Sequence, residues 1–159
     1  MNTDIPPLAE NNDTFYTNKE KANCLNNYFS NQSKVEGDYD PLPPVQMLNS
    51  QIDEIQILTE DVQAVIHNLD TSKAVGPDLI HNKLLVAAGP VIIEPLTLLF
   101  NKSLNEGIFP DCWKVAHITP IYKLKGDRLD CSNYRPISLL SCIGKILEKC
   151  IKIHTTIPE

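Results

Sequence analysis

Val115-Ala116-His117-Ile118-Thr119-Pro120-Ile121-Tyr122 and Tyr134-Arg135-Pro136-Ile137-Ser138-Leu139-Leu140 decide the fold class. The first run is β-branched and alternating, the period of an extended chain rather than a helix. The second contains Pro136, which cannot donate to a sheet ladder and so belongs at a sheet edge. Between them, Lys123 to Asn133 is polar and holds Gly126-Asp127. Two extended runs joined by a polar loop read as one β-hairpin.

On either side of the hairpin the period becomes helical. Upstream, Thr59 is suited to an N-cap, with Glu60 and Asp61 in the first turn where the helix dipole favours acid. Val62, Val65, Ile66 and Leu69 form an amphipathic stripe that ends near Asp70. From Asp70 to Asp78 the chain is a loop: Gly76 supplies permissive dihedrals, Pro77 keeps its neighbour extended, and Asp78 can cap the next helix. That short helix, from Leu79 to about Ala88, stops at Gly89-Pro90. A longer one, from about Val91 to Asn105, buries Ile92, Leu96, Leu99, Phe100 and Leu104. Pro95 falls in its first turn or so, where amide donors are still free, and Gly107 sits where a glycine cap belongs. Trp113 is expected to pack over these helices. Downstream, Ile143, Ile146, Leu147, Cys150 and Ile151 mark a last helix. The fold class is therefore α+β: helices, then one β-hairpin, then a helix.

The first 50 residues differ in composition, being rich in Asn, Asp, Pro and Ser. One weak helix, roughly Asn18 to Phe29, places Ala22, Leu25, Asn26 and Phe29 on a face. Ser33 to Gln46, with Pro41-Leu42-Pro43-Pro44, reads as an extended linker without a core of its own. This gives a partly disordered polar lead over 1–57, a folded region over 58–152, and a tail over 153–159 that departs from the preceding helix. The 159 residues are one domain's worth, and with 42% hydrophobic but only 6% aromatic residues the core must be aliphatic. No run of 18 apolar residues is present and the N-terminus is polar and acidic, so neither a membrane span nor a signal peptide is expected, and the default location is intracellular. Residues 1–100 carry 5 Lys/Arg against 14 Asp/Glu, a balance of −9, while 101–159 carry 9 against 6, a balance of +3. Any contact with a polyanion is thereby directed toward the last third of the chain.

Several chemistries are unsupported. The five cysteines are odd in number and lack a C-x-x-C spacing, and Cys150 with His154 is two ligands short of a zinc site. Lys125-Gly126-Asp127 lacks the spacing of a phosphate-binding P-loop. His67, His81, His117 and His154 are scattered, and Ser138 and Ser141 have no His-Asp pattern to activate them.

Five local strings are more specific than these elements: Lys73-Ala74-Val75-Gly76-Pro77-Asp78; Gly107-Ile108-Phe109-Pro110-Asp111-Cys112-Trp113-Lys114; Thr119-Pro120-Ile121-Tyr122-Lys123; Asn133-Tyr134-Arg135-Pro136-Ile137-Ser138-Leu139-Leu140; and Gly144-Lys145-Ile146-Leu147-Glu148-Lys149. In this order they resemble the opening blocks of non-LTR (LINE-type, jockey-like) retrotransposon reverse transcriptases, over about Leu58 to Ile151. The resemblance implies an RNA-directed DNA polymerase acting on an RNA template, a DNA primer and dNTP, with Mg²⁺ held by carboxylates. Those carboxylates belong to later blocks, and no Asp-Asp pair occurs in this chain. The resemblance thus implies the fingers portion only, with no catalytic residue, no metal ligand and no retained cofactor, inactive alone and binding partners weakly or not at all. Within it, Arg135 is implied as a triphosphate contact and Lys123 as its partner, the one a planar fork and the other a mobile point charge. Lys73 and Gly76 in the loop, and Lys125 and Arg128 between the strands, are candidate nucleic-acid contacts. The alternative is a non-catalytic nucleic-acid-binding or interaction module derived from a retrotransposon. Without a family, Arg135 and Lys123 read first as charges that guard an exposed edge.

Overall fold

The structure, a computed structural model, describes residues 5–10, 13–34 and 54–155. Most of the linker expected over Ser33 to Gln46 lies outside them. The chain divides into two compact units, and it passes between them within the strands of the central hairpin.

The first unit joins the N-terminal segment to residues 118–137. Strands β1 (Leu8–Glu10) and β2 (Asp13–Phe15) pair antiparallel, with Leu8 opposite Phe15. This hairpin is not legible in the sequence: three residues per strand are too few to show a period. Helix α1 (Asn18–Gln32) starts at a reciprocal cap. Thr17 Oγ1 accepts the Glu20 N–H at 3.2 Å, and the Glu20 carboxylate accepts the Thr17 N–H at 2.9 Å. The buried face is Cys24 and Leu25 with Tyr28 and Phe29 half-buried, whereas Ala22 and Asn26, expected on that face, are exposed. The inward face is therefore rotated from the expected one, keeping Leu25 and Phe29 and adding Cys24 and Tyr28, against Leu8, Cys131 and Tyr134.

Strands β3 (Ala116–Tyr122) and β4 (Tyr134–Leu140) form the second two-stranded sheet, in which both strands are edges, as Pro136 requires. A 3₁₀ turn, Cys131–Asn133, leads into β4. Asp130 caps it by accepting the Ser132 N–H at 2.8 Å.

The second unit is built on helices α2 (Thr59–His67), α3 (Asn82–Ala88), α4 (Pro90–Glu106), α5 (Asp111–Lys114) and α6 (Cys142–Thr155). Val62, Val65 and Ile66 of α2, Leu96 and Phe100 of α4, and Ile146, Leu147 and Cys150 of α6 close one aliphatic core. Trp113 joins it, edge-on to Phe100 at 6.1 Å and to Phe109 at 5.5 Å between ring centres. Gly107 takes φ 64° and ends α4, as the sequence predicts.

Four expectations change. Thr59 is the first helical residue rather than the cap; the Asp61 carboxylate instead accepts the Leu58 N–H at 2.9 Å. Asp78 caps no helix: its Oδ1 accepts the Ile80 N–H at 3.3 Å, closing a turn before α3 begins three residues later than expected. Leu99 is 40% exposed, its place inside taken by Thr97 and Ser103. Finally, α6 continues to Thr155, past the predicted departure after residue 152. Among the described residues no single helix is long and apolar enough to cross a membrane.

Asp61 also joins α2 to α6, through a 2.8 Å contact with His154 Nε2. Burial pushes the Asp61 carboxyl up, but the Leu58 N–H and His154 together outweigh it and leave it below the usual range. A depressed folded value means stability present above about pH 3.9, the unfolded value, and lost as pH falls through the folded one. Between pH 5 and pH 2 the melting temperature of the Asp61→Asn variant is expected to fall less than that of the parent. Equal slopes would show that the contact is energetically silent.

Candidate functional site

The hairpin that carries the predicted nucleotide contacts is held by its own loop. Tyr134 Oη donates to the Arg128 carbonyl at 2.8 Å, and Asn133 Nδ2 to the Asp127 carbonyl at 2.8 Å. Gly126 takes φ 82°, and a Cβ there would lie 2.6 Å from the Asn133 amide. Only glycine satisfies both demands. Asp127 and Asp130, beside Lys125 and Arg128 in the chain, use their side chains on the Leu129 and Ser132 amides.

The cations of the hairpin are thereby left to different surroundings. Lys123 is exposed, and its ammonium donates to the Ser132 carbonyl at 2.6 Å, while its own amide donates to the Asn133 carbonyl at 2.8 Å. Arg128 lies over the Tyr122 ring, 5.4 Å from its centre, a cation–π contact that keeps the guanidinium near the strand. The side chains of Arg135 and Lys125 are exposed and have no ionic or hydrogen-bonding partner among the described residues. Pro136 comes directly after Arg135 and holds it extended.

The loop candidates lie in the second unit. Lys73 forms an exposed ion pair with Asp70 at 3.3 Å. Hydrogen bonds from the Ser72 hydroxyl and amide, then from Lys73, bring the Asp70 carboxyl down to about 2. Asn82, only 7% exposed, donates to the Asp70 carbonyl at 2.8 Å and anchors the loop to α3. Gly76 does not have the positive φ of a turn glycine. A Cβ there would meet the Leu140 carbonyl oxygen at 2.6 Å and the Ser141 nitrogen at 2.8 Å. Its role is close backbone approach, which corrects the dihedral reading.

Beside this loop is a cleft of about 270 Å³, with Lys73, Asp70 and Asn82 on one side and Lys145, Ile146 and Lys149 of α6 on the other. Sequence reasoning misses Lys145 and Lys149 as site residues. Their four-residue spacing is visible, since it puts both on one helix face, but nothing local ties that face to Lys73.

No family model matches the chain. The RNA-directed DNA polymerase from mobile element jockey of Drosophila melanogaster is 38% identical over 95 residues, covering 60% of this chain and 10% of that protein. The probable RNA-directed DNA polymerase from transposon BS of the same species is 30% identical over 142 residues, covering 84% of this chain and 16% of its own length. The chain is homologous to non-LTR retrotransposon RNA-directed DNA polymerases. A third such polymerase, the probable one from transposon X-element of Drosophila melanogaster, is 37% identical over 94 residues, covering 59% of this chain and 10% of its own length. The chain thus spans about a tenth of the length of the jockey and X-element polymerases. For the Mg²⁺ that such a polymerase implies, the donors do not fit: no group of three or more His, Cys, Asp or Glu placed to hold a metal ion occurs among the described residues.

Proposed function

We propose that the chain is the fingers portion of an RNA-directed DNA polymerase of a mobile element, contributing substrate contacts rather than the chemical step. The observation that carries the reading is Arg135. It sits on an edge strand, extended by Pro136, exposed, and without a partner among the described residues, in a chain homologous to such polymerases. A guanidinium so placed can offer two parallel donors to phosphate oxygens of a dNTP. Lys123 reaches the same ligand by exchanging its neutral Ser132 carbonyl for a charged oxygen. The second contact region is the cleft where Lys145 and Lys149 stand opposite Lys73. A nucleic-acid backbone lying there would neutralise charges that the acidic chain otherwise leaves close together. Gly76 keeps the loop close to the start of α6, and Lys125 and Arg128 are further contacts on the hairpin.

The test pairs two assays on one sample. Primer extension with Mg²⁺ or Mn²⁺ is expected to yield no product, and extension by the pure chain would overturn the non-catalytic reading. RNA binding titrated with salt is expected to weaken in Arg135→Ala, Lys73→Ala and Lys149→Ala. Each lost phosphate contact should reduce the slope of log K against log salt by about 0.7 for a single strand. Binding that ignores all three changes would sink the substrate-contact reading.

A further inference from the structure

We propose that Cys24 and Cys131 are a site of reversible disulfide formation that fastens α1 to the 3₁₀ turn leading into β4. The two are 107 positions apart in the chain, yet their Sγ atoms lie 3.0 Å from each other. That is inside van der Waals contact and most of the way to the S–S bond length of about 2.05 Å. Each residue is only 3% exposed, packed with Leu8, Leu25 and Tyr134. Neither is an exposed thiol such as Cys112, and the other two cysteines, Cys142 and Cys150, belong to the core of the second unit. The site is thus two thiols facing each other in a closed apolar setting, with one acid, Glu10, 3.6 Å from Cys24 Sγ.

The surroundings assign different roles to the two sulfurs. Burial pushes both thiols up, Cys24 to about 12, while the hydrogen bond from Cys24 pulls Cys131 back down. Glu10 lies against Cys24, so Cys131 is the sulfur oxidised first, and Cys24, with Glu10 to take its proton, completes the bond. The co-reactant is a small hydroperoxide, since at 3% exposure neither cysteine is open to a bulky disulfide. The Cys131 thiolate attacks one oxygen of hydrogen peroxide. The O–O bond breaks, the departing oxygen leaves as water after taking up a proton, and Cys131 becomes a sulfenic acid. Cys24 sulfur then displaces the sulfenic hydroxyl, which takes the Cys24 proton relayed through Glu10 and leaves as a second water. In sum, two thiols and one peroxide give one disulfide and two waters. The sulfurs lose two electrons and the peroxide gains them.

The experiment uses the full chain carrying Cys112→Ser, which removes the exposed thiol and leaves the four buried ones. The protein is treated with hydrogen peroxide, alkylated in denaturant and digested without reduction. A peptide linking Cys24 to Cys131 is expected, which disappears on reduction. The oxidised protein is expected to gain no crosslink between chains and to unfold at a urea concentration higher by about 1–2 M than the same sample reduced, because the bond closes a long loop. The proposal is overturned if both cysteines are recovered alkylated or as sulfinic acid from folded protein. It is equally overturned if Cys24 is found linked to another cysteine, or if the linked form unfolds no later than the reduced one.

Discussion

Phe100→Ala is expected to lower unfolding stability by about 3–5 kcal/mol, the range for truncating a fully buried aromatic residue. Phe100 is 0% exposed and occupies the middle of the core that α2, α4 and α6 share. The change removes its apolar burial and leaves a void that neighbours fill only in part. It also removes the edge-on contact with Trp113, which is worth about 0.5–1.5 kcal/mol beyond area alone. A domain of this size has roughly 5–15 kcal/mol to lose, so the variant should unfold early in urea and show weakened near-ultraviolet dichroism from Trp113. Leu99→Ala, one position along, is the internal control. Leu99 is 40% exposed, and its truncation should cost far less. Similar losses at the two positions would mean that α4 turns a different face inward.

That contrast shows where sequence reading works and where it stops. Repetition over several turns makes α6 legible: Ile146, Leu147 and Cys150 are buried as their spacing demands. β4 is legible because its residues and the helical period after it leave little choice of boundary. In α4 the apolar residues outnumber the places inside. Leu99 is displaced by Thr97 and Ser103, whose hydroxyls are satisfied within the chain, by the Ile93 and Ile108 carbonyls at 2.9 and 2.6 Å. A polar residue with its hydrogen bond made locally is buried at little cost, and hydrophobicity patterns do not register that. β1, β2 and the inward face of α1 depend on Cys131 and Tyr134, more than a hundred residues later. No local window contains that information. The candidate site divides in the same way. Arg135, Lys123 and Lys73 stand out by motif, and the exposure of each agrees with a surface role. The approach of Lys145 and Lys149 to Lys73, and the use of Lys123 by Ser132, arise from the fold.

Gly76→Ala is expected to cost about 1–3 kcal/mol through forced close contact, and its sign separates two accounts of the same residue. If Gly76 only made a turn, its φ is not in the left-handed region, and alanine would fit there. It would then stabilise the protein by about 0.4–1 kcal/mol, because the unfolded chain would have fewer states to lose. The added Cβ, however, would meet three backbone atoms, the Leu140 oxygen and carbon and the Ser141 nitrogen, at 2.6, 2.7 and 2.8 Å. Backbone atoms cannot step aside as the end of a long side chain can. Either the 73–78 loop lifts away or the junction between β4 and α6 shifts, and both widen the cleft that sets Lys73 opposite Lys145 and Lys149. Urea unfolding gives the sign directly. RNA binding measured at a temperature where the variant is still folded gives the consequence. A destabilised protein with weakened, less salt-dependent binding ties the glycine to the cleft through backbone packing. A stabilised one would return Gly76 to the role of a simple turn and detach it from the site.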